Sequence, residues 1–194
     1  MGIAERKARE KEELRGKIIS AALNMFIEEG YAKVSIRKIA ERVEYSPATI
    51  YLYFQNKDEL MFFVQQEAFD QFFEVLAPVL ALQDPIEQLR FMGRTYMDFG
   101  ISNPELYDLM FMLQAPMNVD EVKEQGWECG FETFHLLEVV IQNCQRVGYF
   151  AEKESHIAAI ENWSMVHGML SLFLRDRFDM MPKENRKELM YQTL

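Results

Sequence analysis

Apolar residues recur at helical spacing along almost the whole chain, and no stretch alternates for long enough to predict a strand. The tightest pattern lies between Val34 and Leu60, VSIRKIAERVEYSPATIYLYFQNKDEL. Ser35 stands where its hydroxyl can accept from free N–H groups of a first helical turn. Ile36, Ile39, Ala40 and Val43 then fall at i, i+3, i+4 and i+7, with Arg37, Lys38, Glu41 and Arg42 on the wet side. Val43 to Tyr45 forms a break. Ser46 caps a second short helix, with Pro47 at its first position, where a missing N–H costs nothing. Ile50 and Phe54, four apart, face inward. Asn56 caps a third helix, and Glu59 at its third position completes a capping-box-like start. The unit predicted is a helix-turn-helix running into a long helix.

Upstream, a helix ends at Glu29 with Gly30 as its C′ residue, and Leu14, Ile18, Ala21, Ala22, Met25 and Phe26 form its inner stripe. Downstream, the helix from Asn56 runs to about Leu80 and stops near Pro78, with Leu60, Val64, Phe69, Phe72, Phe73 and Leu76 inside. Further helices are predicted from Pro85 to near Gly100, from Pro104 to the break at Ala115-Pro116, and from about Val119 to Val147, closed by Gly148. Two more span about Glu152 to Arg177 and Pro182 to the chain end. Leu106, Leu109, Met110 and Leu113 are expected inside the second of these five, and Leu189, Met190 and Leu194 inside the last. The fold class is all-α: a three-helix helix-turn-helix domain over residues 1–60, then a helical bundle over residues 61–194.

With Ile50 and Phe54 inward, Ala48, Thr49, Tyr51 and Leu52 point outward. Such small and apolar groups suit a DNA major groove, where a methyl meets the thymine methyl and a hydroxyl bonds a base edge or phosphate. Lys57, at a helix N-terminus, favours a phosphate. The bland alternative is structural packing of two capped helices. Ser35-Ile-Arg-Lys-Ile-Ala40, Ser46-Pro-Ala-Thr-Ile-Tyr-Leu-Tyr-Phe54 and Asn56-Lys-Asp-Glu-Leu60 together resemble the DNA-binding domain of the TetR family of transcriptional regulators. The resemblance implies that Ser35 and Arg37 meet the backbone and groove edge. It implies that Pro47, Ala48, Thr49 and Leu52 face bases, and that Tyr51, Tyr53 and Lys57 hold phosphates. The family's turn usually carries Gly where this chain has Glu44, at a position expected to need φ > 0.

Charge divides at the motif. Residues 1–60 hold 11 Lys/Arg and 10 Asp/Glu, a net of +1, whereas residues 61–194 hold 10 and 21, a net of −11. The acidic remainder repels DNA and orients the reading face, and the modest basic patch implies salt-sensitive binding. Arg6, Lys7, Arg9 and Lys11, interleaved with Glu5, Glu10, Glu12 and Glu13, read either as a solvated helix with i,i+4 pairs or as an arm on the DNA backbone. A charged N-terminus without an apolar h-region, and no apolar run approaching about 20 residues, give the expectation of a cytoplasmic protein without a membrane segment. Cys129 and Cys144, about 22 Å apart along one predicted helix, are beyond disulfide reach and read as small buried hydrophobes; a redox sensor is the alternative.

The helix after Glu152 is apolar nearly all round. One side gathers Ile157, Ile160, Ser164, Gly168 and Ser171, and the other Ala159, Trp163, Val166, Leu170 and Phe173. The resemblance implies that the first side pairs with its copy in a homodimer; Gly168 could instead permit a tight crossing inside one subunit. Trp163 with His167-Gly168 also resembles the W…HG signature of one TetR C-terminal subtype. Met92, Tyr96, Phe99, Met112, Trp127, Phe131, His135 and His167 are candidates to line a site for a small apolar ligand, although Met and aromatic residues at helical spacing are more often plain core. Tyr96, His135 and His167 are its polar handles, and His167 may alternatively be a core histidine bonded to a carbonyl. Glu132-x-x-His135 matches half of a di-iron bundle motif, but no second half exists; no catalytic or metal residue and no cofactor is predicted. The expected function is a ligand-responsive regulator, most simply a repressor, binding a palindromic double-stranded operator as a homodimer. A constitutive DNA-binding or nucleoid-organising protein is the rival, and a carboxylate enzyme a more distant one.

Overall fold

A computed structural model describes residues 2–113, 130–180 and 182–194. Among them every regular element is helical. They are α1 (Ile3–Glu29), α2 (Ile36–Arg42), α3 (Pro47–Tyr51), α4 (Lys57–Leu76), α5 (Pro85–Ser102), α6 (Pro104–Phe111), α7 (Phe131–Arg146), α8 (Ser155–Leu174) and α9 (Arg186–Gln192). The chain forms two compact units. One takes the residues up to Phe69 with those described from Asp108; the other takes Asp70–Tyr107 and Gly130–Leu194. The division between the compact units falls inside α4, where Leu60, Met61, Val64, Ala68 and Phe69 are all buried.

In the first unit, caps mark the ends the sequence predicts. Ser35 Oγ accepts from Lys38 N–H at 3.3 Å, and Ser46 Oγ accepts from Thr49 N–H at 3.1 Å, with Pro47 in the first turn. Gly30 ends α1 at φ 85°, its N–H bonded to the Phe26 carbonyl at 3.0 Å. Asn56 Oδ1 accepts from Glu59 N–H at 2.9 Å, while the Glu59 carboxylate accepts from Gln55 N–H. The return bond of the expected capping box thus reaches one residue further back. Ile18, Ala22, Phe26, Ile36, Ile39, Ile50, Phe54, Leu60 and Val64 make the core, and Ile19 and Leu23 of α1 join it although the single-stripe reading left them out. Across it, Lys38 pairs with Glu29 at 2.7 Å and Arg42 with Glu28 at 3.1 Å, tying α2 to α1.

In the second unit, α5, α7 and α8 pack on one another around Met92, Met97, Leu136, Val140, Ile141, Ala158, Ala159 and Leu170. Gly100 lets Leu170 come close: a Cβ there would stand 2.4 Å from Leu170 Cδ2 and 3.3 Å from Tyr107 Cδ2, so the leucine would have to shift. Cys144 is buried, its Sγ 3.2 Å from the Pro85 carbonyl, and burial pushes the thiol up. This is the small-hydrophobe role expected of it. Cys129, the start of the predicted Val119 helix and the Ala115-Pro116 break lie outside the described residues.

Several ends move. α4 stops at Leu76 and a 3-10 turn, Ala77–Ala81, carries Pro78. α8 is shorter than predicted at both ends, and α9 begins only after a 3-10 turn at Lys183–Asn185. Leu113 lies beyond the end of α6 and is exposed, not interior. The reading that no apolar run reaches membrane length is corrected by α8, whose 20 residues have the length and composition to cross one. Glu161, Asn162 and the histidines interrupt the run without making the helix polar; Ala158, Ala159, Val166 and Leu170 are buried in the unit.

Glu44 adopts φ 61° in the turn between α2 and α3, the left-handed conformation expected there. Its side chain is exposed, so the strain is purely local. In chemical denaturation, Glu44→Gly is therefore expected to be more stable than Glu44→Ala by about 1 kcal/mol.

Candidate functional site

The exposed edge of the helix-turn-helix collects most of the residues predicted to read DNA. Because Ile50 and Phe54 are buried, α3 must turn the rest of its circumference outward. Pro47 and Ala48 are exposed, as are Tyr51 at 55% and Leu52 at 77%, an unusual exposure for a leucine. Thr49 and Tyr53 are half-buried. The Thr49 hydroxyl lies 2.9 Å from Ser46 Oγ. Ser35 and Arg37 are exposed at the start of α2, Arg37 holding Glu41 at 3.2 Å. Such a surface pair contributes little and yields readily to a stronger anion. Tyr45, which the sequence reading treated only as part of the break, is exposed beside this edge.

Lys57 has an internal engagement that its sequence position did not reveal. Its Nζ donates to the Tyr31 carbonyl and stands 3.7 Å from the centroid of the Tyr31 ring. The Tyr31 hydroxyl in turn donates to Asp58 Oδ1 at 2.7 Å. Burial lowers the Lys57 pKa, and desolvation together with the neighbouring Asp58 carboxylate raises that of Tyr31. The ammonium is thus held in one place at the head of α4 with donor capacity to spare. The N-terminal charges are helical, with pairs Arg6–Glu10 and Arg9–Glu13 at 3.4 Å each. That geometry matches the solvated-helix alternative.

In the second unit, Tyr96 from α5 and His167 from α8 meet, although 71 residues separate them. The Tyr96 hydroxyl lies 2.8 Å from His167 Nδ1, and the Tyr107 hydroxyl 3.1 Å from the same nitrogen and 3.4 Å from the His167 carbonyl. Burial, and secondarily Arg175, lowers the His167 pKa, so the imidazole is neutral at pH 7; burial pushes the Tyr96 phenol up. At Nδ1 the partners of His167 are two tyrosine hydroxyls. Tyr107 was missed because a tyrosine on the inner stripe of a short helix is indistinguishable from core. The Trp163 ring lies tilted beside His167 at 5.9 Å, so the Trp and His of the W…HG pattern meet in this cluster.

Of the other expected ligand residues, Met92 is buried and Phe99 packs on Phe72 at 4.6 Å within the same unit. Met112 belongs to the first unit. Phe131 and His135 do not join the cluster: Phe131 is 65% exposed, His135 is exposed, and the two rings stack on each other at 6.5 Å. Trp127 lies outside the described residues. His135 turns to Glu138 at 3.3 Å, and that carboxylate also holds His156 at 2.6 Å. Glu132-x-x-His135 is accordingly not a half-site.

The face of α8 expected at a dimer interface is open in the subunit. Ile157, Ile160 and Ser164 are exposed, with Gly168 and Ser171 half-exposed beside them. Among the described residues, a Cβ at Gly168 would meet nothing within 4 Å.

Comparison with known proteins agrees with this arrangement. Residues 18–62 match the family described as bacterial regulatory proteins, tetR family, and residues 89–193 match the tetracyclin repressor-like C-terminal domain. The chain is 27% identical over 148 residues to an HTH-type transcriptional regulator of Haemophilus influenzae, covering 76% of each. It is 39% identical over 57 residues to the fatty acid metabolism regulator protein of Bacillus subtilis, a match that spans 29% of each chain. In fold it is similar to the transcriptional regulator FadR of Bacillus subtilis solved with stearoyl-CoA, with a TM-score of 0.68 at 19% identity over 90% of this chain and 94% of that one. With both domain types matched in sequence, the chain belongs to the TetR family: it is a helix-turn-helix transcriptional regulator, not an enzyme.

Proposed function

We propose that the protein is a homodimeric repressor that binds a palindromic operator and is released from it by a small apolar effector. The observation that carries this reading is the exposed face of α8, where Ile157, Ile160, Met165 and Leu172 surround Ser164, Gly168 and Ser171. An apolar face with small residues at its centre suits a second copy, because backbones can approach closely over Gly168. A two-fold pair presents two α3 helices to successive major grooves about 34–36 Å apart. Pro47, Ala48, Thr49 and Leu52 meet base edges, and Ser35, Arg37, Tyr51, Tyr53 and Lys57 meet the backbone or groove edge.

The effector reading is supported by the composition of the second unit, where Met92, Phe99 and the Tyr96–His167 pair stand close in an apolar surrounding. The stearoyl-CoA bound by the Bacillus subtilis regulator supports an apolar ligand in a protein of this fold. To move the dimer from almost wholly competent to almost wholly incompetent, the effector must favour the incompetent conformer by about 5 kcal/mol. Burial of a few apolar groups supplies that. Thermal shifts across a panel of lipophilic compounds test the reading, since a constitutive DNA-binding protein with a solid core gives none.

Sedimentation tests the dimer: Gly168→Leu should yield monomers at concentrations where the native protein is dimeric, and a dimeric variant places the interface elsewhere. For DNA, Thr49→Ala should relax base preference in selection from random sequence. Lys57→Ala should weaken all sites alike and flatten the salt slope by about one per half-site; an unchanged slope assigns Lys57 to its Tyr31 contact alone. His167 gives a pH test. Its folded pKa lies below the ordinary value of 6.5, so on acidification the unfolded chain takes up a proton first. Stability should fall as pH drops below 6.5, and His167→Gln should flatten that part of the pH–stability curve, read by denaturant titration at successive pH values.

A further inference from the structure

The first turns of α1 project beyond the core that holds the rest of the first unit. Residues 4–13 are exposed, and the first buried side chain of the helix is Ile18. At 1.5 Å per residue the exposed arm is about 15 Å long. Its charges are sorted by side. Glu10 pairs with Arg6 and Glu13 with Arg9, while Glu12 pairs with Arg15 at 3.7 Å and Glu5 accepts from the Gly2 N–H at 2.7 Å. These are all the acidic residues of the arm, and each is engaged with a group other than Lys7 and Lys11. At about 100° per residue, Lys7 and Lys11 stand on one side of the helix with Ala4 and Ala8. The buried Ile18 and Ala22 continue the same line further along. Between residues 4 and 11 the inner side of α1 is therefore made only of alanine and lysine.

Lys11 fixes which way this side looks. Its ammonium lies 6.0 Å from the centroid of the Tyr53 ring, just past the end of α3. One turn further in, the Arg15 guanidinium lies 4.0 Å from the Phe63 ring centroid and 5.6 Å from that of Phe54. All these residues belong to one compact unit. The lysine side is thus continuous with the edge on which Tyr51 and Leu52 are exposed. Helix stability gives no reason for the pattern, because like charges at i and i+4 repel and the neighbouring acids are already taken. A polyanion lying along this side relieves that repulsion. Ala4 and Ala8 let a sugar-phosphate strand come close, and lysines about 6 Å apart along the axis reach separate phosphates.

We propose that the first three turns of α1 form a second DNA contact, in which Lys7 and Lys11 hold phosphates of the duplex beside the bases met by α3. The inference rests on the reading, given above, that this edge meets DNA, and it adds a contact that carries no base preference. The full-length protein tests it with labelled duplexes carrying a site selected from random sequence. Affinity is read by fluorescence anisotropy at successive salt concentrations. Lys7→Gln combined with Lys11→Gln should weaken binding by about tenfold and flatten the salt slope by about two per half-site. The sites that this variant selects should be those of the native protein. Arg6→Gln combined with Arg9→Gln removes as much charge from the paired side, and should change the slope by less than one contact's worth, about 0.9. Both variants should unfold thermally as the native protein does, since every altered side chain is exposed. An unchanged slope for the lysine variant, or an equal loss in both variants, overturns the assignment and leaves α1 a solvated helix that acts through net charge alone. The reading of α3 would survive that result as long as Thr49→Ala alters base preference. Failure of the native protein to bind any duplex at low salt would remove that reading together with this one.

Discussion

The exposed edge of the helix-turn-helix depends on two side chains that are themselves buried. Ile50 and Phe54 are drawn into the first unit's core, and their burial contributes about 1.5–3 kcal/mol each. The segment Pro47–Tyr51 is far too short to hold a helix by itself. Its conformation comes from the Ser46 cap, the φ that Pro47 fixes, and those two anchors. Once they are seated, helical geometry leaves Pro47, Ala48, Tyr51 and Leu52 no direction but outward. The turn that leads into α3 carries a left-handed residue, Glu44.

The second unit uses α8 in two ways at once. Its inner side, Ala158, Ala159, Val166 and Leu170, is closed by α5 and α7, and the close approach over Gly100 allows it. Its outer side remains apolar and open. Between these sides stands the Tyr96–Tyr107–His167 cluster, whose members need one another because an unpaired hydroxyl or imidazole in that environment is costly. Gln65 departs from this rule in the first unit. There its amide nitrogen donates to the Leu109 carbonyl, and its buried Oε1 has no hydrogen-bond partner among the described residues.

Local chemistry was legible wherever a residue acts through its neighbours in the chain. The caps at Ser35, Ser46 and Asn56, the stop at Gly30, the φ of Glu44 and the inward pair in α3 all follow from spacings of a few residues. Long-range partners were not legible. Nothing in the sequence pairs Lys57 with Tyr31, or Tyr96 with both His167 and Tyr107, because those contacts depend on where separate helices cross.

By itself the sequence determined an all-helical chain, a helix-turn-helix with its outward residues named, an acidic remainder and membership of a regulator family, because periodicity, capping and charge are properties of short segments. The tertiary structure decided that the first compact unit reaches into α4, and that Phe131 and His135 lie at the surface while His167 is half-buried against Tyr96. It also decided that the far side of α8 is left open, since burial is a joint property of helices that only meet once the chain has folded.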